Sequence, residues 1–113
     1  MKAWVSSPEE ILAQIPGRFS AERARGLNVV VQFHLEGVED GVHHVVVHDG
    51  TVSVSRGAHP KPTMAFTLES NDFVALATGD LSPQLAFMNR KIQIAGDVGL
   101  ASQMLDLLGI VPR

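Results

Sequence analysis

Between residues 27 and 36 the side chains alternate. Leu27, Val29, Val31, Phe33 and Leu35 are apolar, whereas Asn28, Gln32, His34 and Glu36 are polar. A period of two places the apolar set on one buried face of a β-strand. After a loop at residues 37–41, the β-branched run Val42–His48 predicts a returning strand. Asp49-Gly50 suits the positive-φ positions of a tight hairpin, so a third strand is expected over Thr51–Arg56. Residues 57–62 read Gly-Ala-His-Pro-Lys-Pro, and the prolines bar them from a central strand. Alternation resumes over residues 63–69, with Met64, Phe66 and Leu68 on one side.

Helical spacing brackets these strands. Ser7 is an expected cap, Pro8 suits a first helical position, and Glu9 and Glu10 favour the positive end of the dipole. That helix carries Ile11, Leu12 and Ile15 to Pro16-Gly17, and a turn or second helical piece follows at residues 21–24. Ser70 or Asn71 is expected to cap a helix holding Phe73, Val74, Leu76 and Ala77, stopped at Gly79. Ser82-Pro83 opens a short helix through Leu85, Phe87 and Met88; residues 91–95 make a fifth strand; Asp97 caps a last helix to Leu108. The expected order is helix, four meandering strands, two helices, strand, helix. This is an α+β fold: a mostly antiparallel five-stranded sheet covered on one face, in a single domain over residues 1–113.

The last helix carries more apolar surface than one interface needs. Val98, Ala101, Leu105 and Leu108 form one stripe, and Leu100, Met104 and Leu107 an adjacent one. The second stripe packs on a neighbouring helix or faces a lipid cavity, a dimer contact or a membrane. Met88 and Met104 are flexible enough to line an adaptable apolar site.

Composition narrows the classes. With 9 basic against 12 acidic residues the formal charge is −3, which argues against a broad nucleic-acid or anionic-membrane footprint. No cysteine is present, so a disulfide framework or thiolate metal site is excluded. Neither a signal-like start nor a membrane-length apolar run is read, and the default expectation is a cytoplasmic protein without stable membrane insertion.

Several longer segments resemble the sterol carrier protein 2 lipid-binding family. Val31-Gln32-Phe33-His34-Leu35-Glu36-Gly37 is similar to its first strand, and Val47-His48-Asp49-Gly50 to its second hairpin. The run Asn71-Asp72-Phe73-Val74-Ala75-Leu76-Ala77-Thr78-Gly79-Asp80-Leu81-Ser82-Pro83 looks like its helix-turn-helix, and residues 84–97 like its closing helix and strand. The match extends from about Val29 to Leu108, its most specific part from Asp72 to Leu100. It implies an apolar tunnel between sheet and helices that takes a fatty acid, acyl-CoA or similar lipid without catalysis. No peroxisomal tripeptide is read at Val111-Pro112-Arg113.

On that resemblance the sheet would line the tunnel with Phe33, Leu35, Phe66, Leu68, Ile92 and Ile94. The helices would add Phe73, Leu76, Phe87 and Met88, and the last of them Leu100, Met104, Leu107 and Leu108. Arg18, Arg23 and Arg25 are candidates to meet a carboxylate or phosphate head group, as are Gln84 and Gln103 from within; Arg90 and Lys91 are a second cationic pair. The alternative use of the apolar stripe is a homodimer or partner-docking contact.

Other chemistry is sparse. A regular first hairpin would set His34 near His44 on one sheet face, yet no compact metal motif accompanies them. Gly-x-Ser-x-Gly and Gly-x-Gly-x-x-Gly are absent, and Gly96-Asp97-Val98-Gly99 lacks the Lys-Ser/Thr of a phosphate loop. No catalytic set, metal or cofactor is expected, and the anticipated partner is a small apolar ligand.

Overall fold

A computed structural model describes residues 7–111. The elements are α1 (Pro8–Arg18), β1 (Asn28–Glu36), β2 (Val42–His48), β3 (Thr51–Arg56), β4 (Met64–Glu69), α2 (Ser70–Thr78), α3 (Pro83–Met88), β5 (Ile92–Ala95) and α4 (Val98–Leu107). Three starts follow from capping. Ser7 Oγ accepts from the Glu10 N–H, Ser82 Oγ from the Leu85 N–H, and Asp97 Oδ1 from the Leu100 N–H. Asp97→Ala is therefore expected to cost about 1 kcal/mol of stability, read as a lowered midpoint in urea unfolding.

Helix α2 departs from the expected cap. Glu69, still extended, is its N-cap without a side-chain bond, and Ser70 is already helical and buried. The strand β4 runs straight into the helix, leaving no turn for Ser70 or Asn71 to cap. Helix α1 continues through Pro16 to Arg18, because a proline in the last turn forfeits only one backbone bond. Residues 21–24 form a turn rather than a helix.

The five-stranded sheet has the order β3-β2-β1-β4-β5. Pairs β1–β2, β2–β3 and β4–β5 are antiparallel, as the alternation implied. The expected four-strand meander is incorrect at its last step: β4 crosses over and lies parallel to β1, with Val31 opposite Met64 and Leu35 opposite Leu68. Both edges of β1 are thereby paired, and it becomes the middle strand of the sheet.

The odd positions of β1 face the helices, and Val31, Phe33, Val45, Met64, Phe66 and Leu68 are all buried. Phe33 stacks on Phe66 with ring centroids 5.4 Å apart and 12° between planes, and the Phe73 ring of α2 leans on Phe33 at the same 5.4 Å. Such contacts add to what apolar burial alone contributes. Ile11, Leu12 and Ile15 of α1 close the same core. On this face His43, opposite Phe33, keeps its Nδ1 buried with no hydrogen-bond partner among the described residues.

The outer face is partly covered by the loop at 57–62. The His59 N–H donates to Gln32 Oε1 at 2.8 Å, which fixes the amide so that Gln32 Nε2 donates to His34 Nε2 at 2.8 Å. His44 Nδ1 meets the Gly57 carbonyl at 2.8 Å, and its ring sits edge-on to His59. Gln32 is only 6% exposed and fully engaged, as a buried amide must be.

Candidate functional site

Both apolar stripes of α4 find cover within one chain. Ala101, Met104, Leu105, Leu107 and Leu108 are buried; only Leu100 is half-buried and Val98 exposed, at the start of the helix. This removes the expected need for an outside partner over Met104 and Leu107, and with it the case for a homodimer through that stripe. The far end of α4 is tied down. The Ser20 N–H donates to the Leu107 carbonyl at 2.9 Å, Arg18 Nε to the Gly109 carbonyl at 3.0 Å, and Arg23 pairs with Asp106 at 2.8 Å.

Between α3, β5 and one face of α4 lies an apolar groove of about 100 Å³. Phe87, Ile92, Ile94, Val98 and Leu105 line it, with Pro83, Gln84 and Ser102 at its rim. Val98, Ser102 and Leu105 are one face of α4, at spacings of four and three, which is why they meet the strand together. Ile94 is paired with Phe66, so the floor of the groove is the outer wall of the aromatic core. A wider hollow of about 460 Å³ adjoins it and shares Pro83, Gln84, Ser102 and Leu105. Its remaining wall includes Ser82 and Asp106.

The sequence-derived lining residues fall into three places. Phe33, Leu35, Phe66, Leu68, Phe73 and Leu76 form the closed core with Met104, Leu107 and Leu108. Phe87, Ile92 and Ile94 border the groove, and Leu76 the wider hollow. Leu100 is half-buried, while Met88 stands 75% exposed and lines neither hollow. Val98 and Leu105 were placed on a stripe by their spacing but not on a site; their join with Ser102 was the available signal.

Of the head-group candidates, Gln84 lies on the wall common to both hollows and accepts from Ser82 Oγ at 2.9 Å. Arg18 and Arg23 are occupied in anchoring α4 as described. Arg25 and Gln103 are exposed, and neither borders the groove or the wider hollow.

The register places His34 near His44 on one sheet face, as a regular hairpin implies. His44 lies opposite Gln32 and His34 opposite Val42, so the two histidines share a face two residues apart. Among the described residues no group of three or more His, Cys, Asp or Glu side chains could hold a metal ion.

The arrangement is that of a small α+β domain with helices over one sheet face and an apolar groove at the sheet edge. The chain belongs to the SCP-2 sterol transfer family, whose model matches residues 9–109. It is 32% identical over 110 residues to Hydroxysteroid dehydrogenase-like protein 2 of Xenopus tropicalis, covering 96% of this chain and 26% of that protein. The chain thus spans about a quarter of that relative's length. The solution structure of palmitated SCP2L2 from Aedes aegypti superposes with a TM-score of 0.68 at 23% identity, over 91% of this chain and 95% of that one. The fold also matches part of the sec-alkylsulfatase Pisa1 from Pseudomonas sp., with a TM-score of 0.79 at 16% identity, over 90% of this chain and 16% of that one. No described helix is long and apolar enough to cross a membrane.

Proposed function

We propose that this chain is a non-catalytic carrier of a single-chain lipid, a fatty acid or acyl-CoA, held between the sheet and the helices. The carrying observation is the groove of Phe87, Ile92, Ile94, Val98 and Leu105, which abuts the aromatic core through Ile94 and Phe66. Its volume of about 100 Å³ is below the roughly 300–1,000 Å³ of sites that enclose drug-sized ligands, so α3 and α4 must part for an acyl chain to enter. The adjoining hollow of about 460 Å³ has room for the polar end, beside Gln84 and Ser82. Family membership and the palmitated state of the SCP2L2 neighbour support the same reading. Apolar burial, about 25 cal/mol per Å² before the costs of association, supplies the driving force.

Titration with palmitate against a displaced fluorescent fatty acid tests this, together with native mass spectrometry for co-purified lipid. Val98→Glu puts a charge on the rim, at a side chain 43% exposed and in the first turn of α4, where a carboxylate suits the helix dipole. It is expected to weaken palmitate binding about tenfold or more, because an acyl chain would have to desolvate the carboxylate. Absence of saturable binding by the wild-type chain, with no retained lipid, defeats the proposal.

A further inference from the structure

Beside the groove lies a second surface. Of the large apolar side chains that stand exposed among the described residues, Leu85, Phe87, Met88 and Val98 fall within one segment of α3 and the start of α4; Val38 is elsewhere. Leu85 and Met88, 56% and 75% exposed, line neither hollow, so they serve neither the core nor the groove.

The turn that follows α3 adds charge of one sign. From residue 81 to residue 96 the chain carries Arg90 and Lys91 and no acidic side chain, although its formal charge is −3. Both cations are exposed, and neither forms an ion pair among the described residues. The nearest acids along the chain are Asp80, hydrogen-bonded by Thr78, and Asp97, engaged as the α4 cap.

Backbone geometry holds the two cations in place. The Arg90 N–H donates to the Phe87 carbonyl at 3.1 Å, and the Lys91 N–H to the Ala86 carbonyl at 2.8 Å. This is a Schellman closure, with Arg90 at the left-handed position, φ 61°, that normally goes to glycine. An arginine there carries a conformational cost that helix termination does not require.

We propose that the α3–β5 turn is a peripheral docking surface for an anionic lipid bilayer. Leu85, Phe87 and Met88 enter the headgroup boundary, Arg90 and Lys91 meet lipid phosphates, and the groove mouth faces the membrane at Phe87 and Val98. Apolar tips flanked by cations suit an interface that is apolar below and negatively charged above. Docking of this kind is shallow and reversible, and needs no spanning helix.

Vesicle flotation of the full chain, with phosphatidylcholine alone and with added phosphatidylserine, tests the proposal. The wild-type chain is expected to float with anionic vesicles at low ionic strength and to be released by high salt. Replacing Arg90 and Lys91 together by glutamine is expected to reduce partitioning roughly 25-fold, about fivefold per cation. Leu85→Ser with Met88→Ser is expected to abolish flotation, while Arg56→Gln on β3 leaves it unchanged. Arg90→Gly gives a sharper control: a melting temperature raised by roughly 3–6 °C together with weaker flotation, a combination that loss of folding cannot produce.

Flotation of the two double variants at wild-type levels overturns the proposal, as does a wild-type chain that never floats. A dimer in light scattering that Leu85→Ser with Met88→Ser disperses would assign the patch to a second copy and overturn it equally. Palmitate titration without vesicles is read separately, and both double variants should bind palmitate like the wild type, because none of Leu85, Met88, Arg90 and Lys91 lines either hollow. A failure of lipid binding is therefore distinguishable from a failure of docking.

Discussion

Phe66→Ala is expected to lower the unfolding free energy by about 3–5 kcal/mol, measured by urea denaturation. The side chain is 1% exposed, stacks on Phe33 and stands opposite Ile94 in the β4–β5 pair. Its removal loses the transfer free energy of a ring and leaves a void, because the backbone on either side is held by the β1 and β5 ladders and cannot collapse inward. That is a large part of the stability of a typical domain. The void lies directly behind the groove. On the carrier reading, saturating palmitate should then restore part of the lost stability, since a ligand that binds only the folded state stabilises it. A loss under about 1 kcal/mol would mean that the aromatic cluster is not the keystone described.

Gly41→Ala is expected to be nearly as damaging, at about 3 kcal/mol, for a different reason. A Cβ at this position would stand 2.0 Å from the Leu35 carbonyl oxygen, in the backbone of the central strand. No rotamer relieves a clash between two main-chain elements. The hairpin must open instead, and the Leu35 N–H would lose the Gly41 carbonyl it meets at 2.8 Å. Amide exchange should rise first at Leu35 and Val42 relative to α2. Unchanged exchange there, with an unchanged urea midpoint, would refute the assignment.

How much of this was readable from the chain alone differs by scale. Alternation at residues 27–36 and the Asp49-Gly50 pair located the first three strands, because period and turn chemistry are local properties. The caps at Ser7, Ser82 and Asp97 are local for the same reason. Partner choice is not local. Nothing in the spacing of Met64, Phe66 and Leu68 distinguishes a strand that continues a meander from one that crosses to lie parallel with β1. The nearness of His34 to His44 on one face, by contrast, follows from the hairpin alone and is found.

The candidate site was legible in part. Phe87, Ile92 and Ile94 were named from periodicity and resemblance together, and they border the groove. Which apolar positions fill the core and which line an opening depends on how closely α3 and α4 approach β5, and no residue pattern encodes a distance. Met88 illustrates this: helical spacing groups it with Leu85, and both stand exposed and line neither hollow. The docking surface was harder still to see, because a chain-wide charge of −3 conceals a short stretch of opposite sign.

The crossover that makes β4 the parallel neighbour of β1 also divides the molecule in time. Strands β1, β2 and β3 are joined by short turns, so their ladder closes small loops and can nucleate early. β4 must wait for the intervening hairpins, and β5, four residues long and paired only with β4, is the last and least held strand. The groove is built against that strand. The same order that delays its assembly makes the β5–α4 side the part of the sheet most easily released as a local opening unit, while β1 to β3 stay paired. On the carrier reading, entry to the interlayer space and cooperative stability fall at opposite ends of one sheet.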